Sequence, residues 1–339
     1  MTEQITRAVV RGLDWLAVRQ LSWGEFNTNF WYSDQPKRPG VPDSSPFVTA
    51  HVVHALDFVK DARARGMQER ALKFLRGEME GQGFWRYRSR RQGQRWGWSL
   101  DMDDTSCVSY VLRQHNIAFP ENRAWLVGNR NARGIFYTWF TPRRAMPHNF
   151  EWLRLALAYA RCQVLRTVIL KHERLERNDV ECVVNANVVW YLGECAETNA
   201  AIDYLIDTAR QGREAQEMRY YLHRNSFYYA LSRAYANGIA RLDEAKEAIV
   251  ENIRAEWNHA REFENDLQVA LAACTLLNFR CDIPELARAM DWLVARQDAN
   301  GGWREWAWIG YVHFTTRWGS AEMTTAVCVE ALARYANTR

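Results

Sequence analysis

The chain has 339 residues, 48% hydrophobic and 25% charged, with a formal net charge of +4. That composition supports a large buried core and excludes a disordered chain, and so small a net charge gives no footing for nucleic-acid binding. No apolar run reaches the length of a membrane span, the opening MTEQITRAVVRGLDWL lacks the apolar core of a signal peptide, and no Pro-, Gly- or Ser-rich linker divides the sequence. We therefore expect a cytoplasmic protein with residues 1–339 in one domain.

In chain order, residues 4–20 predict an amphipathic helix that runs into RGLDWLAVRQLSWGEF (11–26). The segment 43–59 opens with the capping residues Asp43, Ser44 and Ser45, and its continuation PFVTAHVVHALDFV has no polar face, the pattern of a buried helix. Its His51 and His54 lie three apart; they could share a zinc ion, but no third ligand is evident, and a helix lining a polar cavity carries such residues too. A second amphipathic helix, 66–80, leads into RALKFLRGEMEGQGFW (70–85). The loop FWRYRSRRQGQRW (84–96) follows, with Arg86, Arg88, Arg90, Arg91 and Arg95. DMDDTSCVSYVLRQH (101–115) then places Asp101, Asp103 and Asp104 at the head of another buried helix, where aspartates ordinarily serve as caps.

Residues 117–147 read as an inserted segment rich in aromatic residues, and 149–171 as an amphipathic helix. The buried pattern returns in NDVECVVNANVVWYLGE from 178, interrupted by Asn185 and Asn187, in YLHRNSFYYALSRAYANG from 221, in ENDLQVALAACTLLNF from 264 and in WGSAEMTTAVCVEALARY from 318. Amphipathic helices at 198–211, 241–257 and 285–297 alternate with them, the last leading into RAMDWLVARQDANGGW (288–303). The seven cysteines form no CxxC pair and sit among apolar neighbours, as reduced core residues do.

Three of these segments, 11–26, 70–85 and 288–303, align without a gap. Each has a basic residue first, an aromatic fifth, Leu sixth, Gly fourteenth and an aromatic last, and Gln20 and Gln297 share the tenth place with Met79. Glycine turns the chain off the helix and the closing aromatic can lie back over its last turn, which clamps each helix end to its loop. Six half-exposed helices alternating with six buried ones close into an all-α (α/α)6 barrel, an inner ring within an outer one. The buried helices then open at one mouth, and the three aspartates share its rim with Asn178, Asp179, Asn265, Asp266 and Glu322.

At this point the chain resembles the class II terpene cyclases. DMDDTS matches their DxDDT signature, the repeats match the QW motif of squalene-hopene and oxidosqualene cyclases, and DMDDTSCVSYVLRQH is similar to the matching region of class II diterpene cyclases. Family members normally insert a second, γ barrel after the first helix of the β barrel, with the reaction chamber between the two. Here only the short NTNFWYSDQPKRPGVPDSS (27–45) stands at that place, so the chain is expected to be a β barrel alone. A homodimer, a partner protein or segment 117–147 would then close the chamber. The resemblance implies that the middle aspartate, Asp103, donates a proton while Asp101 and Asp104 hold and polarise it.

Protonating an isolated alkene requires a carboxylic acid that is neutral beforehand and shielded from water. The carbocation that follows is stabilised by aromatic faces, for which Trp96, Trp98, Trp306, Trp308, Tyr311 and Trp318 are the candidates near the mouth. Asn185 or Asn187 could orient Asp103 or bond a neighbouring helix, and His51, His54 and His148 are further possible partners of the acid. Arg88, Arg90 and Arg91, with Arg143 and Arg144 behind them, suit the oxygens of a prenyl diphosphate, or alternatively a solvated loop or peripheral contact with anionic lipid. No DDxxD run or metal motif of the ionisation-dependent synthases is present, nor is the zinc set of protein prenyltransferases.

The expected activity is thus an isomerase-type cyclisation of farnesyl or geranylgeranyl diphosphate, with the diphosphate retained, or of a prenylated small molecule. No cofactor is required, and Mg2+ enters only with a diphosphate substrate. The competing reading is a non-catalytic α/α toroid that binds an isoprenoid or a protein partner.

Overall fold

The computed structural model of the chain describes residues 2–32, 40–91, 100–169, 177–259, 265–310 and 316–338. Six helices form the inner ring: α2 (Pro46–Leu56), α4 (Met102–Gln114), α7 (Cys182–Leu192), α10 (Arg224–Ala236), α12 (Asp266–Asn278) and α14 (Ala321–Asn337). Each packs against the next in this order and α14 closes on α2, completing the (α/α)6 barrel. Their sequences are apolar all round because neighbours cover every side; every residue of α2 is buried.

Around this ring lie α1 (Thr2–Arg19), α3 (Ala62–Gly77), α8 (Asn199–Arg210), α11 (Lys246–His259) and α13 (Pro284–Arg296). In α13 only Leu286, Ala289, Met290 and Leu293 are buried, the one-stripe pattern of a helix half in water. The sixth outer place differs from the expectation of a long helix at 149–171. A short helix, α5 (Arg123–Gly128), stands there, and its cap residue Asn122 ties the two inner helices beneath it, bonding Ser109 of α4 at 2.9 Å and accepting from Tyr191 of α7 at 2.8 Å.

The predicted amphipathic helix exists as α6 (Phe150–Val164), continued by a wider π turn, 165–169. It lies beside the 80–84 loop and Leu100 rather than over the ring. Phe150, Leu153 and Leu157 on it remain half or more exposed. The helical period was right; the surface it meets was not a property of that period. Two shorter helical pieces remain: α9 (Glu214–Glu217), a single turn before α10, and a 3-10 helix, Ala240–Ala245, that leads into α11.

The three repeats do more than clamp their own helix ends. Trp85 and Trp303 each donate from the indole to the carbonyl of the sixth-position leucine, Leu75 at 2.8 Å and Leu293 at 2.9 Å. Gln297 donates to Gly301 in its own loop and to Ala8 of α1, both at 2.8 Å, and Gln20 donates to Gly24 at 2.9 Å and to Met67 of α3 at 2.8 Å. Arg11 returns a bond to Asp298 at 2.7 Å and Arg70 one to Gln20 at 2.9 Å. The repeats thus chain α13 to α1 to α3. Gly301, at φ +96°, has no alternative, since a Cβ there would meet the carbonyl oxygen of Arg11 at 2.6 Å.

A four-stranded antiparallel sheet in the order β2-β1-β4-β3 covers part of the mouth. It pairs β1 (Thr28–Tyr32) and β2 (Val41–Asp43), which follow the first helix, with β3 (Ala307–Gly310) and β4 (Thr316–Gly319) from the far end of the chain. Phe30 faces Trp318 in the β1–β4 register. No helix among the described residues is long and apolar enough to cross a membrane.

Because Trp303 is buried and its indole is bonded, Trp303→Ala should cost about 3–5 kcal/mol of unfolding free energy and Trp303→Phe about 1–2 kcal/mol. Urea denaturation checks both, and no loss in Trp303→Phe would mean the indole bond contributes nothing.

Candidate active site

α4 starts at Asp101, whose Oδ1 accepts from the Asp104 backbone N–H at 2.8 Å and so caps the helix. Asp103 and Asp104 therefore occupy the second and third helical positions, at the positive end of the helix dipole. Thr105 has a different task. Its hydroxyl accepts from the backbone N–H of Trp85 at 3.2 Å, and the same bond recurs from Phe26 to Thr49 at 3.1 Å and from Trp303 to Thr325 at 3.0 Å. Threonine in DMDDT is thus scaffold of the repeats, and three aspartates are left at the mouth.

Asp103 is held on both oxygens. Asn187 of α7 donates from Nδ2 to Oδ1 at 2.6 Å, and the Tyr221 hydroxyl donates to Oδ2. Tyr221 comes from the strand-like approach to α10, which adds to the edge of the sheet: Leu222 N–H bonds Trp308 O at 3.2 Å and Gly310 N–H bonds Tyr220 O at 2.9 Å.

Burial, then the neighbouring Asp101, pushes the Asp103 carboxyl up to about 7, against the lowering effect of both hydrogen bonds and of Arg233. Asp104, 1% exposed with neither carboxyl oxygen hydrogen-bonded, is raised well above the usual carboxylate range by burial and its two acidic neighbours. Burial also raises Asp101, and it raises Glu181, the fully buried cap of α7 that accepts from Val184 N–H at 2.8 Å. Burial thus raises each of these carboxyls above the usual carboxylate range.

Asp101, Asp103 and Asp104 line a cavity of about 60 Å³, roughly four times the space a single water needs. Phe47, Tyr87, Trp139, Tyr221, Ile309 and Trp318 supply most of its wall. Thr138 and Trp139 bring segment 117–147 to one side, anchored where Met102 N–H bonds Thr138 O at 2.9 Å and Phe140 N–H bonds Leu100 O at 3.0 Å. Ile309, Gly310 and Trp318 bring the sheet to the other.

Among the residues singled out from sequence, the structure gathers Asp101, Asp103, Asp104, Asn187 and Trp318 at this cavity, with Trp308 stacked on Phe47 (5.3 Å between ring centroids) and edge-on to Tyr221 (5.5 Å). Trp318 donates to Asp43 at 2.9 Å and Trp308 to Ser226 at 3.0 Å. Trp306 points elsewhere, to Asp266 at 3.0 Å. Asn185 spends its amide on Phe136 and the Glu181 carbonyl and does not reach Asp103.

The arginines are not gathered. Arg88 pairs with Asp43 at 3.2 Å, Arg90 donates to the Met79 carbonyl, and Arg91 lies over Trp23 at 4.7 Å. Arg143 reaches Asn178 at 3.0 Å. His51 bonds the Phe47 carbonyl at 3.0 Å and His54 lies edge-on to Trp190; burial holds both imidazoles well below their ordinary pKa. Among the described residues no three or more His, Cys, Asp or Glu side chains come together as a metal site. Asp179 and Asp266 pair with Arg219 (3.0 Å) and Arg296 (3.4 Å), and Glu322 with Arg19 (2.9 Å). Trp96, Trp98 and Tyr311, with Arg95, lie outside the described residues. Sequence reasoning missed Tyr221, Tyr87, Trp139 and Glu181; the one available signal was the tyrosine pair at 220 and 221 opening an inner helix.

No protein-family model matches the sequence, and no curated protein matches it. Solved structures do match. A protein from Actinoplanes is 17% identical over 97% of this chain and 99% of that one, with a TM-score of 0.69. The type II terpene cyclase MstE from Scytonema, in a variant complexed with geranylgeranyl dihydroxybenzoate as substrate, is 16% identical over 100% of this chain and 99% of that one, with a TM-score of 0.68. The chain has the fold of MstE. The ent-copalyl diphosphate synthase from Streptomyces platensis, 16% identical, matches over 87% of this chain but 51% of its own, with a TM-score of 0.51. At such identities the likeness concerns the fold alone.

The raised Asp103 carboxyl has a consequence for stability. A carboxyl whose pKa is higher in the folded than in the unfolded state stabilises the fold at acid pH, and the contribution is lost as pH rises from the ordinary carboxylate value through about 7. Asp103→Asn, which cannot ionise, should therefore gain on the unaltered protein by on the order of 2–3 kcal/mol between about pH 5 and pH 8 in urea unfolding. A difference that does not change with pH would mean that Asp103 ionises at its ordinary value.

Proposed function

We propose that the chain is a class II terpene cyclase in which Asp103 is the general acid. The observation that carries this reading is a buried carboxyl, bonded on both oxygens, in the wall of an apolar, aromatic cavity, where burial and Asp101 push it up to about 7. The terminal double bond of a linear isoprenoid takes the acid's hydrogen: the π electrons form the new C–H bond, and the O–H pair stays on Asp103 as carboxylate. Asn187 and Tyr221 hold that carboxylate, and the helix dipole of α4 favours it. The cation left on the more substituted carbon is captured by the next double bond, ring by ring, until a proton is lost. Aromatic faces such as Trp318, Trp308 and Tyr87 stabilise the cation without offering a nucleophile. Atoms are conserved throughout, so the product is an isomer of the substrate and no cofactor is needed.

A prenylated small molecule suits the site better than a prenyl diphosphate. Arg88, Arg90 and Arg91 are engaged at three separate places, so among the described residues they form no ready-made clamp for a diphosphate. MstE, similar in fold, has been crystallised with geranylgeranyl dihydroxybenzoate and with merosterolic acid A, its substrate and product. Mg2+ would enter only with a diphosphate. The sheet and segment 117–147 flank the acid from both sides, which supports a cyclase that works without a γ barrel.

The test is to incubate the protein with geranylgeranyl dihydroxybenzoate and, in parallel, with farnesyl and geranylgeranyl diphosphate, and to look for cyclic isomers by chromatography and mass. Asp103→Asn and Asp103→Ala should lower product formation by about 10³-fold, and Tyr221→Phe by about tenfold. Product from the unaltered protein with undiminished turnover in both Asp103 variants would end the acid assignment. Binding without any product from the unaltered protein would favour the non-catalytic toroid. Since the neutral acid is the active form, kcat should fall as pH rises past about 7.

A further inference from the structure

Beneath Asp103 the barrel contains a charge that the chemistry above does not use. Arg233 of α10 is 3% exposed, lies between the rings of Trp190 (4.2 Å) and Tyr229 (4.5 Å), and has no salt-bridge partner among the described residues. Its Nε and Nη1 reach no acceptor among the described residues. One hydrogen bond engages it: Nη2 donates to Oδ1 of Asn187 at 2.7 Å. A buried guanidinium without a counter-charge is costly, and two aromatic faces offset only part of that cost. Proteins keep such violations where a site needs them.

A terminal amide can present either its oxygen or its NH2 group to a partner, and both arrangements occupy nearly the same space. Arginine removes that freedom, because it carries only donors and does not lose its proton. With the oxygen of Asn187 committed to Arg233, its NH2 must face Asp103 and donate to Oδ1. The NH2 can only donate, so Oδ1 is favoured as the carbonyl oxygen of the acid; the Tyr221 hydroxyl, which donates to Oδ2 of the carboxylate, can also turn and accept, so the acidic hydrogen of the neutral acid is left to Oδ2. Reversed, the amide oxygen would accept the hydrogen that is meant for the alkene.

We propose that Arg233 is a positioning residue for the acid: by fixing the orientation of Asn187 it decides which oxygen of Asp103 carries the transferable hydrogen. The assignment rests on the cyclase reading for its purpose, but not for its test. At about pH 5, where Asp103 is neutral, its carboxyl C=O stretch can be isolated by infrared spectroscopy with ¹³C-labelled aspartate, as the band that disappears in Asp103→Asn. Arg233→Met removes every donor, so the band should move to higher wavenumber as the Asn187 bond to Oδ1 is lost. Arg233→Gln, which can either donate or accept, should split the band in two and serves if the Met variant does not fold. With a cyclisable substrate, kcat in Arg233→Met should fall by about 10- to 100-fold while KM stays within about twofold. A single band at its original position in either folded variant would overturn the proposal. Absence of cyclic product from the unaltered protein would sink the cyclase reading and leave the infrared result standing.

Discussion

A carboxylic acid stays protonated toward neutrality when water is kept from it, more so with other negative charge close by, and the rest of this structure follows from that constraint. Burial alone would make Asp103 a weak and useless acid, since an acid that holds its hydrogen too firmly does not release it to a carbon. The opposing influences come from the same few residues: two hydrogen bonds to the carboxyl, the positive end of α4, and a guanidinium one side chain further in. About 7 is where these pulls balance. Placing the acid at the second position of an inner helix supplies burial and dipole from a single backbone feature, with Asp101 taking the capping role that would otherwise fall to a residue outside the cluster.

The scaffold holds that balance by tying distant parts of the chain to one rim. Asn187 is 84 residues from Asp103 and Tyr221 is 118 residues away, so the carboxyl is positioned only after the ring of inner helices has closed. The repeats fix the outer helices to one another, and each hands a backbone N–H to a threonine on an inner helix, at Thr49, Thr105 and Thr325. Through Thr105 the clamp ending at Trp85 bears directly on the turn that carries the aspartates. The repeats are thus structural, yet one of them sets the height of the acid in the mouth.

Much of this was legible in the sequence because it is periodic. Alternating apolar and amphipathic helices, with one turn chemistry at three places, leave few arrangements besides a double ring, and a run of three aspartates before an apolar helix marks its mouth. What was not legible depends on partners far along the chain. The strands at 28–32, 307–310 and 316–319 are too short to show a period, and they pair across nearly the whole length of the protein. Asn185 and Asn187 look alike in sequence, but two helical steps turn them about 200° apart, so one faces Phe136 and the other Asp103. The helix at 149–171 was visible by its stripe, although a stripe does not say what it lies against.

Arg233 shows the same boundary from the other side. SRAYANG lies near the end of a helix, where arginine is common, and nothing in its spacing singles Arg233 out. Only its burial between Trp190 and Tyr229, and the absence of a carboxylate partner among the described residues, make it conspicuous. A neutral residue of similar size would fill that space at lower cost, and a carboxylate partner would cancel the charge. Neither is present. A donor that never accepts, set against an amide that can turn either way, removes one ambiguity from the hydrogen bonding of Asp103, and a site whose chemistry is the delivery of one hydrogen in one direction is where such an ambiguity would matter most.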